Sequence, residues 1–276
     1  HRQHYLLGRE MAARYPDLFA RKLRANEFYA RSSQFQRTTT SAIAHLMGLW
    51  DHFEPKELEF ENGNSRIQPP DVSYNTRDVT FKTPLENGLV VSPVHTETTD
   101  EDDTLFFMSS LQCPKAAEES LSFREKMGKD FNSLTQQLDL LKKAAQVLGI
   151  NFDSYTNKFV LCYEMGDFVA MDNKHNANPI ISPTDPAYNL LMRCYETNIV
   201  GKYSKPELLK AVSSILIDDI MEKLKAKFTN NTSFKYYLYA AHDSTLAPLL
   251  TMAGILDPQC FIKDVLENKY SNCRNY

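Results

Sequence analysis

The chain has 276 residues, 42% of them hydrophobic and 24% charged, with a formal net charge of −4. That length can bury a large core in one or two domains. The mildly acidic balance, without a basic stripe interleaved with aromatics, argues against a nucleic-acid partner, and no apolar run is long enough to cross a bilayer as a helix.

In chain order, His4 to Tyr15 places Leu7, Met11 and Tyr15 at helical spacing and stops at Pro16, which predicts a helix packed on a sheet. Glu27 to Ala30 reads as a short strand that ends in Arg31. Hydroxyl residues follow, and then a helix carrying Ile43, Leu46, Met47 and Trp50 on one face and running to about Trp50. The polar stretch from Glu54 to Val72, with Asn62-Gly63-Asn64 and Pro69-Pro70, reads as a surface loop. Leu89, Val90, Val91 and Val94 predict a core strand ending in His95-Thr96, where His95 is either a pocket-edge group or a structural hydrogen-bonding residue. The acidic run Thr99 to Asp103 lacks the Gly and the terminal Glu of a calcium loop, so it reads as a solvated loop.

The middle of the chain is helical in pattern. Leu134, Leu138, Leu141, Ala145 and Leu148 fall at helical spacing, with Gly149 where a C-terminal cap belongs. Ser204-Lys205-Pro206-Glu207 is a capping box with proline in the first turn, opening a long helix through Leu208, Val212, Ile215, Leu216 and Leu224. This helical stretch lies between sheet-forming stretches. It predicts an α/β protein with a mostly parallel central sheet flanked by helices, its core made of residues 1–104 and 226–276 and a mainly helical cap inserted at 105–225.

The stretch from Phe234 to Leu246 carries the chemistry. An aromatic, β-prone run without Gly or Pro leads into His242-Asp243, and a helix-like pattern (Leu246, Leu249, Leu250) begins at once. Strand ends and helix starts of this kind hold ligands and anions in open α/β sheets, which makes His242 and Asp243 the floor of an anion site. The bland alternative is a hydrogen-bonded core histidine and an aspartate that caps the helix. Arg31, at the end of the earlier strand, is a second element of the same design, because a guanidinium matches phosphate oxygens as a planar fork.

These segments together resemble the histidine acid phosphatases, the larger branch of the histidine phosphatase superfamily. The resemblance rests on Gln3 to Arg9 with Arg14-Tyr15, on Arg31-Ser32-Ser33 through Arg37-Thr38 and Ser41-Ala42, and on Pro93-Val94-His95-Thr96 with Asp103 and Leu105. It continues through Cys113-Pro114 and Ala241-His242-Asp243-Ser244-Thr245-Leu246, in the family's order over almost the whole chain. It implies hydrolysis of phosphomonoesters through a phosphohistidine, with no cofactor and no metal. Asp243 is implied as the general acid, and His242 and Arg31 as phosphate ligands. It also implies a helical cap that selects the substrate, dimers among relatives, and lysosomal or secreted, disulfide-bonded members.

The chain departs from the family at the nucleophile. No Arg-His-Gly triplet occurs among its residues, and the stretch Gln3 to Gly8 normally follows that motif. The expectation is an interior portion of a longer protein whose nucleophilic histidine lies upstream. The alternative is a phosphatase-fold binding or structural protein without the nucleophile, to which the absence of acidic residues at Gln34-Phe35-Gln36 adds weight. A metal-dependent phosphohydrolase of the helical kind fits less well, since the His-Asp pair follows a strand and no HExxH or Cys-pair spacing is present. Five cysteines and the overlapping glycosylation triplets at Asn230 and Asn231 fit a lumenal or extracellular protein.

Overall fold

The computed structural model describes residues 1–19, 26–50, 93–105 and 113–274. The predicted loop from Glu54 to Val72 and the strand residues Leu89 to Val91 lie outside them. The described residues form two compact units, one of residues 1–97 and 229–240, the other of residues 98–228 and 241–276.

In the first unit, α1 (Arg2–Arg14) packs on α2 (Gln36–Trp50), and β2 (His95–Glu97), β1 (Phe28–Ser33) and β3 (Tyr236–Ala240) form a parallel sheet in that order. The helices approach closely because both carry glycine at the crossing. A Cβ on Gly8 would lie 2.1 Å from the His45 carbonyl oxygen, and one on Gly48 would lie 1.9 Å from that of Tyr5. This crossing corrects the expected apolar stripe of α1. Gly8 and Ala12 are the buried residues, while Leu7 and Tyr15 are each 48% exposed. Small side chains won that face because they let two backbones meet.

Strand β1 runs two residues further than expected, through Ser32 and Ser33, so Arg31 lies within the strand and not at its end. Its register pairs Arg31 with His95 on one side and with Tyr239 on the other. Phe19, Phe28, Trp50 and Tyr236 fill the core beneath with edge-on ring contacts at 5.5 to 6.1 Å, the arrangement that aromatic quadrupoles favour.

The second unit is helical: α3 (Pro114–Phe131), α4 (Thr135–Val147), α5 (Lys158–His175), α6 (Tyr188–Val200), a 3-10 turn at Gly201–Ser204, α7 (Pro206–Phe228), α8 (Asp243–Met252) and α9 (Pro258–Glu267). The predicted stripe of α4 is found, with Leu141 and Ala145 fully buried and Leu134, Leu138 and Leu148 packed against the same core. Gly149 follows at φ 69°, the left-handed cap that only glycine adopts without strain. Leu208, Val212 and Leu216 form the buried face of α7.

Two disulfides staple this unit. Cys162–Cys194 joins α5 to α6, and Cys260–Cys273 ties α9 to the segment that follows it, while Cys113 is free. Around the second, the carboxylate of Asp264 is buried against the equally buried Arg193 at 3.1 Å and accepts from the Ser271 hydroxyl at 2.8 Å. The acidic turn is only partly solvated, because Asp102 is buried and accepts the Leu105 N–H at 2.9 Å.

Candidate active site

Strand β3 ends at Ala240, and two residues later α8 begins with His242 as its N-cap and Asp243 as its first residue. The strand-to-helix junction expected from the sequence is therefore present, with the capping position occupied by His242 and not Asp243. Asp243 is exposed, accepts the Ser244 N–H at 2.7 Å and interacts with the Tyr195 hydroxyl. Thr245 fixes the first turn from below. Its hydroxyl donates to the Leu105 carbonyl at 2.8 Å and accepts the His242 N–H at 3.4 Å.

Pro248 explains a further contact. A proline has no N–H, so the Ser244 carbonyl four residues earlier loses its helical donor. The buried Tyr203 supplies one, its hydroxyl donating to that oxygen at 3.2 Å. Tyr203 and Ala247 also share an apolar cluster with Leu208, Val212 and Phe261. The start of α8 is thus held both by packing and by hydrogen bonds that its own backbone cannot make.

The electrostatics around Asp243 involve residues that the sequence did not single out. Lys202, on the 3-10 turn, is only 6% exposed, and its ammonium sits 5.2 Å over the Tyr203 ring. Burial, and then the charge of Arg124, lower its pKa to about 8, against the opposing pull of Asp243. Arg124 donates through Nε to Asn198 at 3.0 Å and stands 5.3 Å over the Tyr163 ring. Among the described residues, neither cation has a carboxylate ion pair. Across the same group, burial and then the Asp243 charge raise the Asp167 carboxyl above its ordinary range. Burial first, then Asp243 and Asp167, push the Tyr195 phenol to about 12.

Arg31 belongs to the first unit, and His242 and Asp243 to the second. The Arg31 guanidinium is ion-paired with Glu97 on β2. His95 is exposed and stacks on Tyr29, with ring centres 4.8 Å apart and planes 11° apart. Sequence reasoning also passed over His45. It is buried on α2 and hydrogen-bonded through Nε2 to the Tyr236 hydroxyl at 2.7 Å. Burial, then the neighbouring His4, lower its pKa below 6.5, with a backbone contact to His4 opposing. A cavity of about 360 Å³ in the second unit is lined by Cys113, Lys115, Glu119, Lys205 and neighbouring residues, and none of the candidate site residues lines it.

Comparison with known families decides the affiliation. The family model described as histidine phosphatase superfamily (branch 2) matches residues 1–274. The chain belongs to this family. Among curated relatives of the histidine phosphatases, it is 26% identical over 255 residues to the lysosomal acid phosphatase of Xenopus laevis, covering 90% of this chain and 51% of the relative. The lysosomal acid phosphatase of Rattus norvegicus is 25% identical, covering 90% and 52%. The prostatic acid phosphatase of Bos taurus is 22% identical, covering 93% and 60%. The chain thus spans about half the length of the lysosomal relatives it matches. The parallel sheet flanked by helices accords with the α/β fold expected of this superfamily.

Proposed function

We propose that the protein is an acid phosphatase that hydrolyses phosphomonoesters through a phosphohistidine, with Asp243 as the general acid. In this scheme an imidazole nitrogen attacks phosphorus, the bond from phosphorus to the ester oxygen breaks, and the departing oxygen takes its proton from the Asp243 carboxyl. Water then attacks the phosphoryl group, the resulting carboxylate accepts its proton, and phosphate leaves. The nucleophile is a histidine of the Arg-His-Gly type, which residues 1–276 do not contain. His242 and Arg31 are assigned to the phosphoryl oxygens by their matching motif positions. No step uses a metal.

The observation that carries this reading is the family match over residues 1–274, with an exposed carboxylate, Asp243, held at the first residue of α8. The helical region at 105–225 is proposed as a cap that selects the substrate. A lysosomal or secreted location is inferred from the names of the relatives and accords with the two disulfides. The test replaces Asp243 by Asn in the natural full-length protein. Turnover of a phosphomonoester falls far more than affinity for inorganic phosphate, whereas unchanged turnover removes Asp243 from the acid role.

A second reading is a phosphatase-fold binding protein. The absence of acidic residues at Gln34-Phe35-Gln36 favours it. Absence of turnover in the natural full-length protein, with phosphate still bound, would establish it.

A further inference from the structure

Lysine is rarely buried without a partner, because desolvating an ammonium is costly unless a negative charge compensates it. Lys202 is buried to this degree, and its interactions among the described residues are the Tyr203 ring and the charges of Arg124 and Asp243. Arg124 is a second cation without a carboxylate partner, held in place by Asn198 and Tyr163. Lys202 thus feels the charges of both Arg124 and the exposed Asp243, and its neighbour Tyr203 is hydrogen-bonded to Ser244 at the start of α8. The groups around them are Asp167 on α5, Tyr195 on α6 and Tyr203, and burial with the Asp243 charge favours the protonated form of each. When Asp243 carries the proton it donates, it no longer offsets the two positive charges of Lys202 and Arg124. A phosphate dianion matches that charge, with the guanidinium as a fork and the ammonium as a point charge.

We propose that Lys202 and Arg124 bind a second phosphate on the leaving portion of the substrate, beside Asp243, so that the preferred substrates are bisphosphorylated. This rests on the assignment of Asp243 to the leaving-group side. The site lies wholly within the second unit, and its occupant restores to Lys202 the compensation that the fold withholds. Holding the leaving group by its own phosphate keeps the ester oxygen near the proton donor.

The test is equilibrium binding, which does not require turnover. Affinities of the natural full-length protein are measured for methylphosphonate and for methylene-, ethylene- and propylene-diphosphonate, and repeated in Lys202→Met and Arg124→Gln. The expected result is a preference of tenfold or more for at least one diphosphonate, falling towards unity in both variants. A preference that is absent, or that persists because both affinities fall together or neither changes, overturns the proposal. Arg124→Gln covers the case in which Lys202→Met fails to fold. If the preference depends on Lys202 while Asp243→Asn leaves turnover intact, the acid role fails and the second phosphate site stands.

Discussion

Arg31 is ion-paired with Glu97, which lies on the neighbouring parallel strand two residues beyond the register partner of Arg31, His95. The arginine side chain is 12% exposed and the glutamate 47%, so solvent screens the pair and its net worth is small, about 0.2–1 kcal/mol. If Arg31 binds phosphate, Glu97 competes for the same guanidinium. Glu97→Gln should therefore tighten inorganic phosphate binding by about two- to fivefold, read by calorimetry. Unchanged or weaker binding would take Arg31 out of the phosphate site.

Lys202 gives a stability prediction with a definite sign. Its pKa is about 8 in the folded protein, against 10.5 for an ordinary lysine. The unfolded chain therefore binds the extra proton between about pH 8 and 10.5, and stability rises with pH through that window. As pH falls through about 8 that contribution is lost, and at pH 7 the buried charge costs up to about 3 kcal/mol. Lys202→Met should raise Tm at pH 7 and lose most of that gain by pH 10.5. A variant that melts lower at pH 7 would show that the ammonium is compensated within the fold.

His45 acts in the opposite part of the pH scale. Its pKa lies below 6.5 because burial, and then His4, disfavour the imidazolium. The neutral ring contributes stability above pH 6.5, and that contribution declines as pH falls towards the folded value. His45→Gln, which keeps a hydrogen-bonding group opposite Tyr236, should reduce the loss of Tm between pH 7 and 5. An NMR titration of the His45 ring with a midpoint above 6.5 would contradict this.

Tyr203→Phe removes one hydroxyl and leaves the Ser244 carbonyl without the donor that Pro248 cannot provide. The expected cost is about 1–3 kcal/mol, with faster hydrogen exchange in the first turn of α8. The ratio kcat/KM for a phosphomonoester should fall, because Asp243 sits in that turn. Restored stability and activity in Tyr203→Phe/Pro248→Ala, which returns an N–H to the helix, would confirm the pairing. No rescue would refute it.

Much of the fold was legible in the residues. The periodicity of Leu134 to Leu148 and the glycine after it specified α4 and its cap, and Pro206 marked the first residue of α7, although Ser204 belongs to the preceding 3-10 turn and does not cap the helix. The junction at His242-Asp243 was legible because a β-prone aromatic run and a helical pattern meet there without a linker. The buried face of α1 was not legible, since Gly8 and Ala12 carry no apolar signal and their role depends on a glycine forty residues away. Lys202 and His45 escaped for a related reason. A lysine in Gly-Lys-Tyr-Ser or a histidine in Ala-His-Leu reads as an ordinary surface or helix residue, and only packing from distant elements removes water from it. Pro248 was a usable signal that went unread, because a proline six residues into a helix implies a carbonyl in need of an outside donor.

The most direct measurement compares Asp243→Asn with the natural full-length protein, by single-turnover kinetics on a phosphomonoester with a poor leaving group and by the affinity for inorganic phosphate. The account predicts a loss of phosphoryl transfer of about 100-fold or more, a smaller loss with a good leaving group such as p-nitrophenol, and phosphate affinity within a few fold. Equal losses with both leaving groups, or phosphoryl transfer that survives the substitution, would contradict it.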